Sequence, residues 1–255
     1  MKTRLFFSLI IVVALFAAGF ISAVAHSREY VSVGTAGFQA PKNHSARVAK
    51  KLEKRPSAST GSSRSYVSAS GKIKLFGTVE FGKPVETFPA WLDVLARNSD
   101  DPIFQLQKHF NKSTTWEKLK TRLDGKSSID QLKIVNSFWN GWPYKDDKSN
   151  WGREDYWAAP AQFLVKSGDC EDYAIVKYFT LKEIGVDPKS MRVVVLRDTV
   201  RNLAHAVLAV YINNDAYILD NVSNSVLSHK NLVNYSPQFS INEYGRWAHM
   251  FPKSG

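Results

Sequence analysis

The chain has 255 residues, and hydrophobic residues make up 44% of it, enough for one packed core and too many for a disordered chain. Its net charge of +11 is uneven: residues 1–70 hold ten Lys/Arg against two Asp/Glu, while the remainder is close to balance. Nucleic-acid binding therefore loses its electrostatic argument, and a single cysteine, Cys170, excludes a disulfide framework and a cysteine-built zinc or iron–sulfur site.

Lys2 and Arg4 precede an apolar run from Leu5 to Ile21, closed by Ala23-Val24-Ala25 in a small-residue cleavage pattern. Residues 1–25 read as a signal peptide or an N-terminal membrane anchor, because the run is also long enough to span a bilayer. Both readings put the bulk of the chain outside the cytoplasm. No cysteine follows the run, which excludes a lipoprotein anchor. Residues 26–70, with ten serines and eight basic residues, read as a flexible linker whose charge suits an anionic membrane surface or plain solvation.

A folded domain is expected over 71–255. Short helices are predicted at Pro89–Ala96 and Ile103–Phe110, and Ser113 to Glu117 carries capping-box chemistry for another. Ser128 opens a helix through Leu132, Val135 and Phe138 that stops near Gly141. Residues 139–157 have loop composition with unusual aromatic weight, and Trp139, Trp142, Trp151 and Trp157 are candidates for a cleft wall or for core anchors. A helix over Ala158–Val165 accommodates Pro160 in its first turn. Ser167-Gly168-Asp169-Cys170-Glu171-Asp172 then leads into an amphipathic helix to Ile184, ended by Gly185. Strands follow at Met191–Arg197, Ala204–Ile212 and Ala216–Asp220. Helices first and antiparallel strands afterwards make the fold class α+β.

Cys170 falls in the first turn of its helix, where backbone N–H groups and the helix dipole favour a thiolate. His205 and Asp220 lie on consecutive strands. With Asn213-Asn214 as a two-residue turn, Ile212 pairs with Asp215, and His205 and Asp220 become diagonal neighbours on one face. Nucleophile, base and orienting acid are then all available, with His109, His229 and His249 as rival bases. Asp169, Glu171 and Asp172 crowd the thiol with negative charge, which opposes thiolate formation. They are either helix-cap acids or ligands of a hard divalent cation that removes the penalty, with Asp146 and Asp147 as further ligand candidates.

Gly168-Asp169-Cys170-Glu171-Asp172-Tyr173-Ala174, Leu203-Ala204-His205-Ala206-Val207 and Leu219-Asp220-Asn221 resemble, in order and spacing, the three motifs of the bacterial transglutaminase-like cysteine proteinases. The likeness runs from about Gly71 to the C-terminus and takes in Asp155-Tyr156-Trp157-Ala158 and Ser240-Ile241-Asn242-Glu243. It implies a papain/transglutaminase-like fold with the cysteine helix packed on an antiparallel sheet. It also implies Cys170 as nucleophile, His205 as base and acid, Asp220 as orienter, and calcium at Asp169, Glu171 and Asp172. Such enzymes are periplasmic, cut the N-terminal region of a large surface adhesin beside paired alanines to release biofilm cells, and are inhibited by an inner-membrane cyclic-di-GMP receptor. The expectation is thus a calcium-dependent cysteine endopeptidase. A transglutaminase-type acyl transferase, a cell-wall amidase and a non-catalytic binding module are the alternatives.

Overall fold

The computed structural model describes residues 73–252; the export segment expected at 1–25 and the linker expected at 26–70 lie outside the described residues. Strand β1 (Val79–Lys83) is followed by six helices: α1 (Pro89–Asp100), α2 (Trp116–Leu123), α3 (Ser128–Trp139), α4 (Asp147–Trp151), α5 (Pro160–Lys166) and α6 (Cys170–Glu183). Six strands complete the described residues: β2 (Met191–Asp198), β3 (Leu203–Ile212), β4 (Asp215–Asp220), β5 (Ser223–Ser228), β6 (Tyr235–Asn242) and β7 (Gly245–Met250). They form one antiparallel sheet in the order β1-β7-β6-β2-β3-β4-β5. The α+β expectation holds.

Local chemistry sets most helix starts. The Thr115 hydroxyl accepts the Lys118 N–H at 3.3 Å to begin α2. Ser127 accepts the Asp130 N–H at 3.2 Å to begin α3, and its hydroxyl donates back to the Asp130 carboxylate at 2.7 Å. Pro160 stands at the start of α5, where its missing N–H costs nothing. The helix expected at Ile103–Phe110 does not form. Phe104 and Phe110 instead pack on Trp116 at ring-centroid distances of 5.1 and 6.2 Å, so their spacing serves a loop anchor. The Asn111 side chain turns that loop by accepting from the N–H groups of Ser113 and Thr114.

The central helix also differs from expectation. α6 is buried continuously from Glu171 to Leu181, with no solvated stripe. It lies against β2, β3 and β4 on one side and beneath α3 and α5 on the other. Apolar residues therefore surround it, as in a helix buried on every face. The sheet is covered on both faces too. Along β3, Leu208, Val210 and Ile212 join the helical core, while Val207, Ala209 and Tyr211 join a second core with Leu75, Ala216 and Tyr235. The β3–β4 hairpin has the expected register, with Ile212 opposite Asp215 and Leu208 opposite Leu219. Asn213 and Asn214 carry φ of 49° and 62°, the paired positive values of a type I′ turn.

Candidate active site

The turn that delivers Cys170 is tightly specified. Ser167 leaves α5 with φ of 64°, a left-handed value uncommon for a residue with a side chain. A Cβ on Gly168 would lie 2.0 Å from Asp172 Oδ2, so only glycine lets the backbone pass that carboxylate. Lys145 donates its N–H to the Gly168 carbonyl at 2.9 Å and ties the Trp-rich loop to the same turn.

Cys170 stands first in α6, and its thiol donates to Glu171 Oε2 at 3.2 Å. The backbone N–H of Ala206, the residue after His205, faces the Cys170 thiol closely enough to favour its thiolate. Burial raises the thiol pKa most, and the charges of Glu171 and Asp169 raise it further; the Ala206 N–H acts the other way.

His205 and Asp220 are both buried and meet as the hairpin register requires: His205 Nε2 lies 2.9 Å from Asp220 Oδ1. That oxygen also accepts the Val222 N–H at 3.0 Å, and Oδ2 accepts the Tyr235 hydroxyl at 2.5 Å. Burial alone would raise the Asp220 pKa. The hydrogen bond and charge of His205, with the Tyr235 and Val222 bonds, overcome it and hold the carboxyl below its ordinary value. The rival histidines are placed elsewhere. His249 bridges Thr78 and Ser240, His229 accepts the Phe76 N–H, and His109 lies in an isolated bridge with Thr115.

Five carboxylates converge beside the thiol. Oxygens of Asp147, Asp169 and Asp172 lie within 4.8 Å of one another, as do those of Asp147, Asp155 and Glu171. All five have raised pKa values, burial being the largest cause for each; Asp147 is pushed up to about 7. Asp172 is fully buried and accepts the Ala158 N–H at 2.6 Å. Buried Oδ1 atoms of Asp147 and Asp169 have no hydrogen-bond partner. Five hard oxygen donors with two orphaned atoms fit a calcium ion. Asp169, Glu171 and Asp172 were expected in this group. Of the two loop candidates, Asp147 joins it, whereas Asp146 turns away to cap α4 through the Ser149 N–H. Asp155 was missed as a ligand, although its motif was visible in the sequence.

Trp139 and Trp157 are buried core residues, and Trp139 donates to the Thr180 hydroxyl at 2.8 Å; neither walls a cleft. Tyr235 and Asn140 escaped the sequence reading. Tyr235 opens a strand with weak signal, and Asn140 follows α3, donating to the Asp220 carbonyl at 2.9 Å.

Residues 107–253, more than half of the chain, match the family described as bacterial transglutaminase-like cysteine proteinase. The chain belongs to that family. This cysteine proteinase is similar to Legionella pneumophila LapG, with 31% identity over 65% of this chain and 88% of that one, at a TM-score of 0.48. LapG structures described as calcium-bound and EGTA-treated match at 29% and 31% identity, each over 65% of this chain and with the same TM-score. They cover 88% and 86% of the LapG chain. No curated protein matches the chain.

Proposed function

We propose that this cysteine proteinase is an exported, calcium-dependent endopeptidase with Cys170 as nucleophile, His205 as base and acid, and Asp220 as orienter. The observation that carries the assignment is the buried His205–Asp220 hydrogen bond of 2.9 Å, on a strand whose next residue, Ala206, turns its N–H toward the Cys170 thiol. Asp220 engages Nε2 and so leaves Nδ1 as the ring nitrogen to take the thiol proton and later deliver it to the leaving amine. The Cys170 backbone N–H, at the start of α6, is available to the tetrahedral oxyanion. Water then hydrolyses the thioester.

Asp147, Asp155, Asp169, Glu171 and Asp172 would hold calcium, whose bound charge would neutralise the carboxylates that oppose the thiolate. The sequence motifs further support periplasmic action on the N-terminal region of a large surface adhesin. Control by an inner-membrane cyclic-di-GMP receptor rests on the same resemblance, and residues 1–25 supply either the export signal or a tether.

Incubation of the purified protein with isolated outer-surface proteins tests this reading. Wild type in calcium should release a discrete adhesin fragment, while chelation, or Cys170→Ala in calcium, should release none. Unchanged cleavage in chelator would remove calcium from the proposal, and cleavage by Cys170→Ala would remove the nucleophile.

A further inference from the structure

Lys177 is fully buried in the middle of α6. Its Nζ donates to Asn136 Oδ1 at 2.8 Å and Asn140 Oδ1 at 2.7 Å, and it sits 5.6 Å from the Tyr173 ring centroid. A buried ammonium is costly unless its hydrogen bonds are met, and an apolar side chain of the same length would fill this space more cheaply. Its retention needs a reason, and its neighbours supply one.

An ammonium only donates, so it fixes which end of each asparagine faces it. With both Oδ1 atoms turned to Lys177, both NH2 groups turn outward. Asn136 Nδ2 donates to the Ser223 carbonyl at 2.8 Å. Asn140 Nδ2 reaches the Asp220 carbonyl at 2.9 Å, the Ser223 carbonyl at 3.1 Å and Asn224 Oδ1 at 3.0 Å. These acceptors bracket the turn from Asp220 to Ser223, where β4 ends and β5 begins. An asparagine flipped the other way would set oxygen against oxygen.

We propose that Lys177 is a positioning residue, whose ammonium locks Asn136 and Asn140 and through them the Asp220–Ser223 turn that aims Asp220 at His205. Lys177 follows Cys170 by seven residues, two helical turns and about 10 Å along the same side of α6. One rigid helix thereby sets both the nucleophile and the strand end that carries the acid. Burial pulls the Lys177 pKa down to about 7 and so works against the ammonium, while the charge of Asp220 acts to hold it up. This role rests on Asp220 being the orienter, as proposed above.

The test uses two substitutions and two readouts. Lys177→Met keeps the length and removes the donors and the charge. Asn140→Asp keeps an oxygen for the ammonium, gains an ion pair with it, and replaces the outward NH2 by an acceptor. Turnover of an internally quenched paired-alanine peptide gives kcat and KM separately, and proton NMR of the His205 ring N–H reports its bond to Asp220 without any substrate. Each variant that keeps the wild-type near-ultraviolet circular dichroism is expected to lose kcat, by about 100-fold for Lys177→Met, with KM unchanged and the His205 resonance shifted or lost. A folded variant with wild-type kcat, or with an unmoved His205 resonance whatever its kcat, overturns the proposal. If Lys177→Met does not fold, Asn140→Asp decides by the same criteria. Wild type and Cys170→Ala run alongside: a wild type that cleaves nothing counts against the peptidase assignment, while the NMR readout still decides on Lys177.

Discussion

Asp220 shows how several small interactions keep a buried carboxylate charged. Burial favours its neutral form, yet His205, Tyr235 and Val222 together hold its pKa below the ordinary value. Tyr235→Phe removes one donor and leaves the ring that packs 5.9 Å from His205. A hydrogen bond to a charged group contributes about 1.5–3 kcal/mol, so kcat should fall roughly 10- to 100-fold while the fold survives. Steady-state kinetics with a melting curve would check this, and an unchanged kcat would mean that the tyrosine does not help set the acid. A different residue governs part of the acid stability. Burial first, and then the Arg192 charge, push the His249 pKa down to about 4. In the unfolded chain a histidine titrates near 6.5, so over that window the unfolded state binds the extra proton. Its contribution is complete above about pH 6.5 and is lost as pH falls toward 4, with a limiting slope of about 1.4 kcal/mol per pH unit. His249→Gln retains hydrogen-bonding capacity for Thr78 and Ser240 and should flatten the pH dependence of urea midpoints across this range. An equally steep dependence in the variant would point to another group.

At the scale of elements, the Asn213-Asn214 turn sets the pairing that brings His205 to Asp220. Asn213→Val puts a β-branched residue at φ of 49° and should lower stability by about 1–2 kcal/mol, read as a urea midpoint shift at constant m-value. A neutral result would mean that the strands alone specify the register. This hairpin was legible in the sequence because two consecutive asparagines tolerate positive φ and side-chain parity does the rest. The thiol turn was legible for a similar reason, since Gly168 and the acids around Cys170 are unusual together. Other elements were hidden by context. β1 is a five-residue edge strand whose alternating Val79 and Phe81 are both exposed, so it buries no apolar face, and β5 reads Ser-Asn-Ser-Val-Leu-Ser, with no apolar alternation. β6 contains Pro237, which normally argues against a strand, yet a register irregularity between β2 and β6 occurs beside it. The aromatic spacing of Ile103–Phe110 mimics a helix face while serving a loop. Lys177 reads in sequence as a solvated helix position, and only its packing against α3 shows it as buried.

For the whole molecule, the carboxylate group joins the 147–155 segment to the start of α6, so cation binding should be felt as folding stability. Calcium at about 100 times its dissociation constant stabilises by about 2.7 kcal/mol, and calorimetry should show a higher Tm than in chelator. Asp155→Asn should reduce that increment, and equal shifts in both proteins would remove Asp155 from the ligand set. The same group bears on the central claim, that carboxylates restrain the Cys170 thiol until a cation neutralises them. At an effective dielectric of about 20, a charge near 6 Å opposes the thiolate by roughly 2–3 kcal/mol, more than tenfold in thiolate population. Cys170 is the sole cysteine in the chain, so its rate of alkylation by iodoacetamide at neutral pH reports this one site. The rate should be more than tenfold higher in calcium than in chelator, with His205→Ala slow in both. Equal rates for the wild-type protein in calcium and in chelator would contradict it.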